Sequence, residues 1–191
     1  AIYHKDKLLQ EGVTEDTLYL GDIASRGDYA IAAKGDCLTE VTYYRADGEE
    51  VFSWESTDKL ATAMSLSQNG NALAVGCVNT EGGLLICSII FLDTRRMEVV
   101  STLSLEDELV LFMEHQGESL FVVTDKQAFV CDKSGRVQSS YSFEGQSLCG
   151  FDASKEHIVL LLGDFRHNRY YNLVSLDSRL KELGRTVIGQ K

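Results

Sequence analysis

Residues 128–135 read Ala-Phe-Val-Cys-Asp-Lys-Ser-Gly, an apolar run followed by an aspartate and a turn. The same pattern recurs at residues 41–48, 89–94 and 173–178. The repeated aspartates, which lie 39 to 46 residues apart, are Asp47, Asp93, Asp132 and Asp177. A repeat period in this range is typical of proteins built from repeated supersecondary units. The sequence therefore predicts one unit that occurs four times.

Each aspartate turn lies between two strand-like runs, and each unit opens with another pair of strands around a tight turn. Gly and Asn in these turns supply the positive φ angles that short hairpins need. Two apolar runs, at residues 120–123 and 158–162, are continuous, which is typical of strands buried on both faces by neighbouring sheets. We therefore predict an all-β fold, a β-propeller or partial propeller with four blades of four antiparallel strands.

The predicted repeats cover approximately residues 23–58, 60–105, 108–145 and 148–188. Residues 1–22 are interpreted as an N-terminal extension or the remnant of a preceding blade, and residues 3–11 are the strongest helix candidate. The sequence leaves open whether four blades close a ring or form part of a larger propeller. An open stack would expose apolar sheet faces and edges, so we expect it to form a homodimer.

Composition excludes several classes of protein. The 191 residues carry a formal net charge of -11, which disfavours a nucleic-acid partner because phosphate binding depends on Lys and Arg. The chain has no proline, in agreement with densely packed strands. The longest apolar stretch, residues 82–92, is too short for a membrane-spanning helix of about 20 residues. The first residue is Ala rather than Met, so we expect that upstream sequence has been removed, with a signal or an anchor as two candidates for it.

The five cysteines form no Cys-x-x-Cys pair. Four of them lie in or beside apolar runs and are predicted to be small buried hydrophobic residues: Cys77, Cys87, Cys131 and Cys149. Because the histidines are scattered, no metal site is predicted, and no motif indicates a cofactor. Unpaired thiols are usual in a reducing compartment, so this cysteine set also fits the cytoplasm.

The repeat resembles the bacterial WD40-like and PQQ-like propeller repeats over residues 23–188. The resemblance rests on an apolar strand, an Asp-Gly or Lys-Ser-Gly turn, and a strand that ends in an aromatic residue, as in residues 47–54. The acidic blades look most like membrane-anchored propeller proteins of gut Firmicutes. This resemblance implies a propeller in an extracytoplasmic location, with the full-length protein anchored in the membrane.

A propeller has two faces that differ in their connections. We call one of them the turn face. It carries the turns that join the first strand of each blade to the second and the third strand to the fourth. The loop face carries the connections between the second and third strands, together with the links between blades. Connection length varies only on the loop face, so we place the binding surface there.

Two groups of residues on the loop face are candidates for partner binding. One is the aromatic and basic connection of the fourth repeat, with Phe165, Arg166, His167, Arg169, Tyr170 and Tyr171. Arg and Tyr are common anchors of interfaces, although the tyrosines in a long hairpin also pack on their own blade. The other group is the acidic link of Glu106, Asp107 and Glu108, which suits a basic partner or, as in most linkers, is only solvated.

Sequence motifs of enzymes are absent, including G-x-S-x-G, G-x-G-x-x-G and the P-loop. No catalytic residue is therefore predicted. We expect a non-catalytic binding or scaffold module of a cell-surface protein, with a protein or glycan bound on the loop face. The alternatives are a glycan-active enzyme that uses carboxylates from several blades on that face, and a purely structural piece of a longer protein.

Overall fold

The computed structural model describes residues 2–4, 7–11, 16–154, 156–163 and 170–189. Within these residues the chain forms 18 β-strands and no helix, so the predicted all-β class is confirmed. The helix candidate at residues 3–11 is wrong, because β1 (Ile2–His4) and β2 (Lys7–Gln10) pair there as a two-stranded antiparallel sheet.

The other strands form four sheets of four strands each. The first sheet contains β3 (Thr17–Ile23), β4 (Tyr29–Lys34), β5 (Thr39–Tyr44) and β6 (Glu50–Ser56). The second contains β7 (Leu60–Leu66), β8 (Ala72–Glu81), β9 (Leu84–Asp93) and β10 (Glu98–Glu106). The third contains β11 (Val110–Gln116), β12 (Ser119–Thr124), β13 (Gln127–Asp132) and β14 (Val137–Ser142). The fourth contains β15 (Ser147–Ala153), β16 (His157–Gly163), β17 (Tyr170–Asp177) and β18 (Glu182–Gly189).

Strands that follow one another in the sequence pair antiparallel within every sheet, which is the topology of a propeller blade. The first sheet begins at Thr17, inside the segment that the sequence analysis assigned to the N-terminal extension. The first strand of that sheet, β3, therefore lies almost entirely before residue 23, where the repeat was predicted to start.

The repeated aspartates close the turns between the third and fourth strands. The Asp93 Oδ1 accepts the backbone N–H groups of Arg95 (2.9 Å) and Arg96 (3.0 Å). The Asp177 Oδ1 does the same for Arg179 and Lys181, both at 2.9 Å. An aspartate that binds the backbone two residues ahead fixes a tight turn, which gives the repeat a structural cause.

Three hydrophobic clusters join consecutive sheets. Leu73 and Val75 lie in the first cluster, between the first and second sheets, and Ile89 and Leu120 in the second. The third cluster, with Phe121, joins the third sheet to the fourth. Polar bonds add to this packing, since the Leu66 N–H donates to Asp22 Oδ2 across the first two sheets (2.7 Å). Among the described residues no hydrophobic cluster joins the fourth sheet to the first.

The two continuous apolar strands have different surroundings. β12 lies between two sheets, and all its residues after Ser119 are buried, as predicted. In β16, Ile158, Leu160 and Leu162 are buried, whereas Val159 and Leu161 on the other face are only half-buried. The prediction of burial on both faces is therefore wrong for β16, because the described residues place a sheet on only one side of it.

We call this uncovered side of the fourth sheet the open face, and its side chains alternate with those of the third cluster. Its apolar residues are Cys149, Val159, Leu161, Tyr171, Leu173 and Ile188. Leu173 is 37% exposed and Ile188 is 44% exposed. The described residues thus form a stack of four blades that is open at the fourth sheet.

Candidate binding surfaces

The second sheet carries a hairpin that extends beyond its neighbours on the loop face. β8 and β9 have ten residues each, whereas the equivalent strands β4, β5, β12 and β13 have six. The pairing with β7 ends at Val78, and the pairing with β10 ends at Ile86. Residues 79–85 therefore form a two-stranded extension that projects about 10 Å, at about 3.3 Å per residue.

The tip of this extension presents apolar side chains to solvent. Gly82 (φ 58°) and Gly83 (φ 84°) form the two-residue turn, and both need the positive φ that a hairpin turn of this length requires. Leu84 is 72% exposed and Leu85 is 51% exposed. Because exposed leucines at a projecting tip are costly to leave in water, this tip is a candidate contact with another molecule.

The acidic link predicted to face a partner is partly used inside the protein. Asp107 receives a hydrogen bond from Lys126 Nζ (2.5 Å), and this contact lowers the pKa of Asp107. Glu108 accepts hydrogen bonds from Thr124 Oγ1 (2.9 Å) and Gln127 Nε2 (2.8 Å). Glu106 ends β10 and is exposed. Two of the three carboxylates thus hold the link against the connection between β12 and β13.

The aromatic and basic connection of the fourth repeat lies mainly outside the described residues, which include none of Phe165, Arg166, His167 and Arg169. Tyr170 begins β17 and is 60% exposed. Tyr171 is half-buried and packs across Gly163, where an added Cβ would lie 3.2 Å from its ring. The two tyrosines therefore have different surroundings, with Tyr170 toward solvent and Tyr171 on the open face.

The cysteines follow the packing of the sheets. Cys77, Cys87 and Cys131 are buried, as predicted, and burial raises the pKa of Cys77 and of Cys131 to about 12. The prediction for Cys149 is wrong, because this thiol is exposed. It lies at a bulge of β15 between Leu148 and Gly150, next to Gly163 on the open face.

A cleft of about 350 Å³ lies near the inner strands on the turn face, not on the loop face. Asp22 and Glu114 line it from the first and third sheets, together with Ser65 and His115. Each carboxylate oxygen of Asp22 accepts a hydrogen bond from the backbone, one from the N–H of Ile23 and the other from the N–H of Leu66. Of the two carboxylates in the cleft, Asp22 therefore holds backbone groups of the first and second sheets.

Ser65 and His115 form a hydrogen-bonded pair across two sheets. The backbone N–H of His115 donates to Ser65 Oγ (2.9 Å), and the ring Nδ1 of His115 lies 3.0 Å from the same oxygen. Burial lowers the pKa of His115 to about 4, so the ring is neutral at neutral pH. Ser65 is 2% exposed. The bonded pair therefore joins β7 to β11 across the second and third sheets.

Several of the described acidic groups have a shifted pKa. The described carboxyl groups with a clear shift all have a lowered pKa, which is the opposite of what a general acid needs: Asp58, Asp93, Asp107, Asp132, Asp177 and Glu182. The described part of the chain brings together no group of three or more His, Cys, Asp or Glu residues that could hold a metal ion. In that part, no helix is long and apolar enough to cross a membrane.

The projecting leucines were not among the residues predicted from the sequence. The sequence signal for this hairpin is length, because the uncharged run at residues 82–92 is longer than the strands of the other blades, which have six to eight residues. On the turn face, every turn between a third and a fourth strand contains at least one basic residue. These residues are Arg45, Arg95, Arg96, Lys133, Arg136, Arg179 and Lys181.

Solved structures similar to this chain are β-propellers. BamB from Moraxella catarrhalis has a TM-score of 0.58 and 16% sequence identity, covering 89% of this chain and 51% of that one. The Cps50 (Swd1) propeller domain of Myceliophteria thermophila has a TM-score of 0.64 and 12% identity, covering 93% and 59%. Sqt1 of Chaetomium thermophilum, bound to the N-terminus of ribosomal protein L10, has a TM-score of 0.55 and 18% identity, covering 75% and 40%. The chain spans about half the length of the propellers it matches.

The propeller architecture predicted from the repeats is thus confirmed. A search of curated protein sequences finds no match to the chain. A family model does match, and it extends over residues 1–189. The chain therefore belongs to DUF5711, a family of unknown function.

Proposed function

We propose that this chain is a non-catalytic protein-binding module and that the hairpin tip of residues 79–85 is its main contact with the partner. The observation that carries the proposal is the exposure of Leu84 and Leu85 at the end of a ribbon supported by ordered strands. An apolar projection whose two strands are already paired can insert into a pocket of a partner.

The propeller fold supports a binding role more than a catalytic one. Sqt1, one of the similar propellers, was solved with the N-terminus of another protein bound to it. In this chain, the described carboxyl groups with a shifted pKa have it lowered, which does not favour a general acid. A scaffold that presents its connections to a partner is the function that fits both observations.

The remaining loop-face residues extend the proposed interface. Tyr170 is exposed at the start of β17, and Glu106 is exposed at the end of β10, beside the base of the hairpin where it pairs with Ile86. We include the connection with Arg166 and Arg169 as a further contact. An extracytoplasmic, membrane-anchored setting and a glycan partner remain predictions of the sequence analysis.

Site-specific photo-crosslinking in cells that produce the protein tests this proposal. A photo-reactive amino acid replaces Leu84 in one variant and Val137, which is 47% exposed at the turn-face end of β14, in the control. We expect discrete protein adducts from position 84, which disappear when Leu85→Ser is added. Identical adducts from both positions, or none from position 84, would refute the proposal.

A further inference from the structure

A groove on the turn face, separate from the hairpin, has the properties of a second binding site. It has a volume of about 200 Å³ and lies between the second and third sheets. One wall is the turn after Asp93, with Arg95 and Arg96, and the opposite wall carries Glu118 and Lys133. His115 lies at the inner end of the groove, and Val100 at the outer end.

The walls of the groove are held in place before any ligand arrives. The turn that carries Arg95 and Arg96 is fixed by the two N–H bonds to Asp93. The opposite wall is tied to the second sheet, because Ser101 Oγ donates to the carbonyl oxygen of Lys133 (3.0 Å). A site with a rigid backbone loses little entropy when it binds an extended chain.

The cations of the groove are available to a ligand. The side chains of Arg95 and Arg96 are 71% and 73% exposed. Their nearest acidic contacts are long, at 4.0 Å from Arg95 Nε to Asp93 and 3.6 Å from Arg96 Nη1 to Glu98. Lys133 is also exposed. Ion pairs this exposed are worth about 1 kcal/mol at most, so a ligand carboxylate can replace them.

The groove also has features that favour a peptide over a simple anion. Val100 is 47% exposed at its outer end and offers an apolar contact. Glu118 and Asp93 place two negative charges beside the three cations, which disfavours a ligand of uniform high charge. The net charge of -11 repels a polyanion more strongly than a short segment with only a few carboxylates.

We propose that this groove binds an extended acidic peptide segment of a protein partner. The carboxylates of the segment pair with Arg95, Arg96 and Lys133, and an apolar side chain between them packs on Val100. This site lies on the face opposite the hairpin tip, so it is independent of the partner proposed above.

Fluorescence anisotropy with two labelled octapeptides, one of alternating Glu and Leu and one of alternating Asp and Phe, tests the groove at about 20 mM salt, where surface charges are weakly screened. We expect saturable binding of at least one peptide. Removal of two cations by Arg95→Ala with Lys133→Ala should weaken that binding about tenfold. The matched control is Arg136→Ala with Arg179→Ala, which removes equal charge from exposed turns outside the groove and should change the affinity less than twofold.

Three results would overturn the proposal. The first is the absence of saturable binding of either peptide. The second is an equal loss of affinity in the control variant, which would show that only overall charge matters. The third is equally tight binding of an eight-nucleotide single-stranded DNA, which would assign the groove to nucleic acid. None of these results bears on the hairpin, because Leu84 and Leu85 are unchanged in every variant.

Discussion

His115 makes the stability of the protein sensitive to acid. Its pKa is about 4 in the folded protein because of burial, below the ordinary value of 6.5. As the pH falls through 6.5, the unfolded chain takes up a proton and the folded protein does not, so the free energy of unfolding decreases until the pH reaches about 4. The loss is at most about 3 kcal/mol.

Urea unfolding at several pH values between about 6.5 and 4.5 measures this effect, since ordinary carboxyl groups titrate mainly below that range. We expect His115→Gln to flatten the pH dependence. The control is His157→Gln, because His157 is exposed and its loss should leave the dependence as it is. A slope that persists in the His115 variant would show that another group is responsible.

The thiols should differ sharply in reactivity, because only a thiolate attacks a maleimide or disulfide reagent. Cys149 is exposed, whereas Cys77, Cys87 and Cys131 are buried with raised pKa values. We expect a fast labelling phase that in Cys149→Ser is reduced to the contribution of the half-buried Cys37, and that is unaffected by Cys77→Ser. Rapid labelling of Cys77 or Cys131 in the native protein would contradict the packing described for the sheets.

At the scale of the strands and turns, the repeated aspartates should contribute to stability through their bonds to the backbone. Asp93→Ala removes two hydrogen bonds to the backbone and should lower the free energy of unfolding by about 1–2 kcal/mol. Asp93→Asn retains an acceptor oxygen and should cost less than half of that. Denaturant unfolding of both variants compares them, and equal losses would show that charge matters here more than the turn.

The strands were predictable from the sequence because their signals are local. The period of the aspartates and the apolar runs around them fix the four units, since each turn is closed by a residue within it. The exposure of Cys149 and of Val159 was not predictable, because it depends on whether another sheet follows the fourth one. The exposure of Leu84 was not predicted for a similar reason. The sequence of an apolar run does not show whether the run is buried by a neighbouring sheet or projects into solvent.

At the scale of the whole molecule, the open face favours association between copies. Leu173 and Ile188 are partly exposed on it, beside Leu161 and Tyr171. Light scattering at increasing concentration should show dimers, and Leu173→Lys with Ile188→Lys should return the protein to monomers. Val99→Lys is the control, because Val99 is 44% exposed on the second sheet. A monomer at every concentration would contradict this prediction.

The two faces of the stack differ in the contacts we propose for them, which are apolar on the loop face and ionic on the turn face. Cys149 labelling links the oligomeric state to the open face, since dimers that cover the face should slow the labelling as concentration rises. A labelling rate independent of concentration, together with dimers in light scattering, would place the dimer contact elsewhere.

Quantitative co-purification of partners from cells that produce the protein tests the central claim, that the hairpin tip binds a protein. The wild type is compared with Leu84→Ser and Leu85→Ser together, and with Arg166→Ala and Arg169→Ala together. Because Leu84 and Leu85 are exposed, the serine variant should unfold within about 0.5 kcal/mol of the wild type. We predict that this variant loses the main partner of the wild type while the arginine variant keeps at least part of it. Retention of every partner by the stable serine variant would contradict the claim.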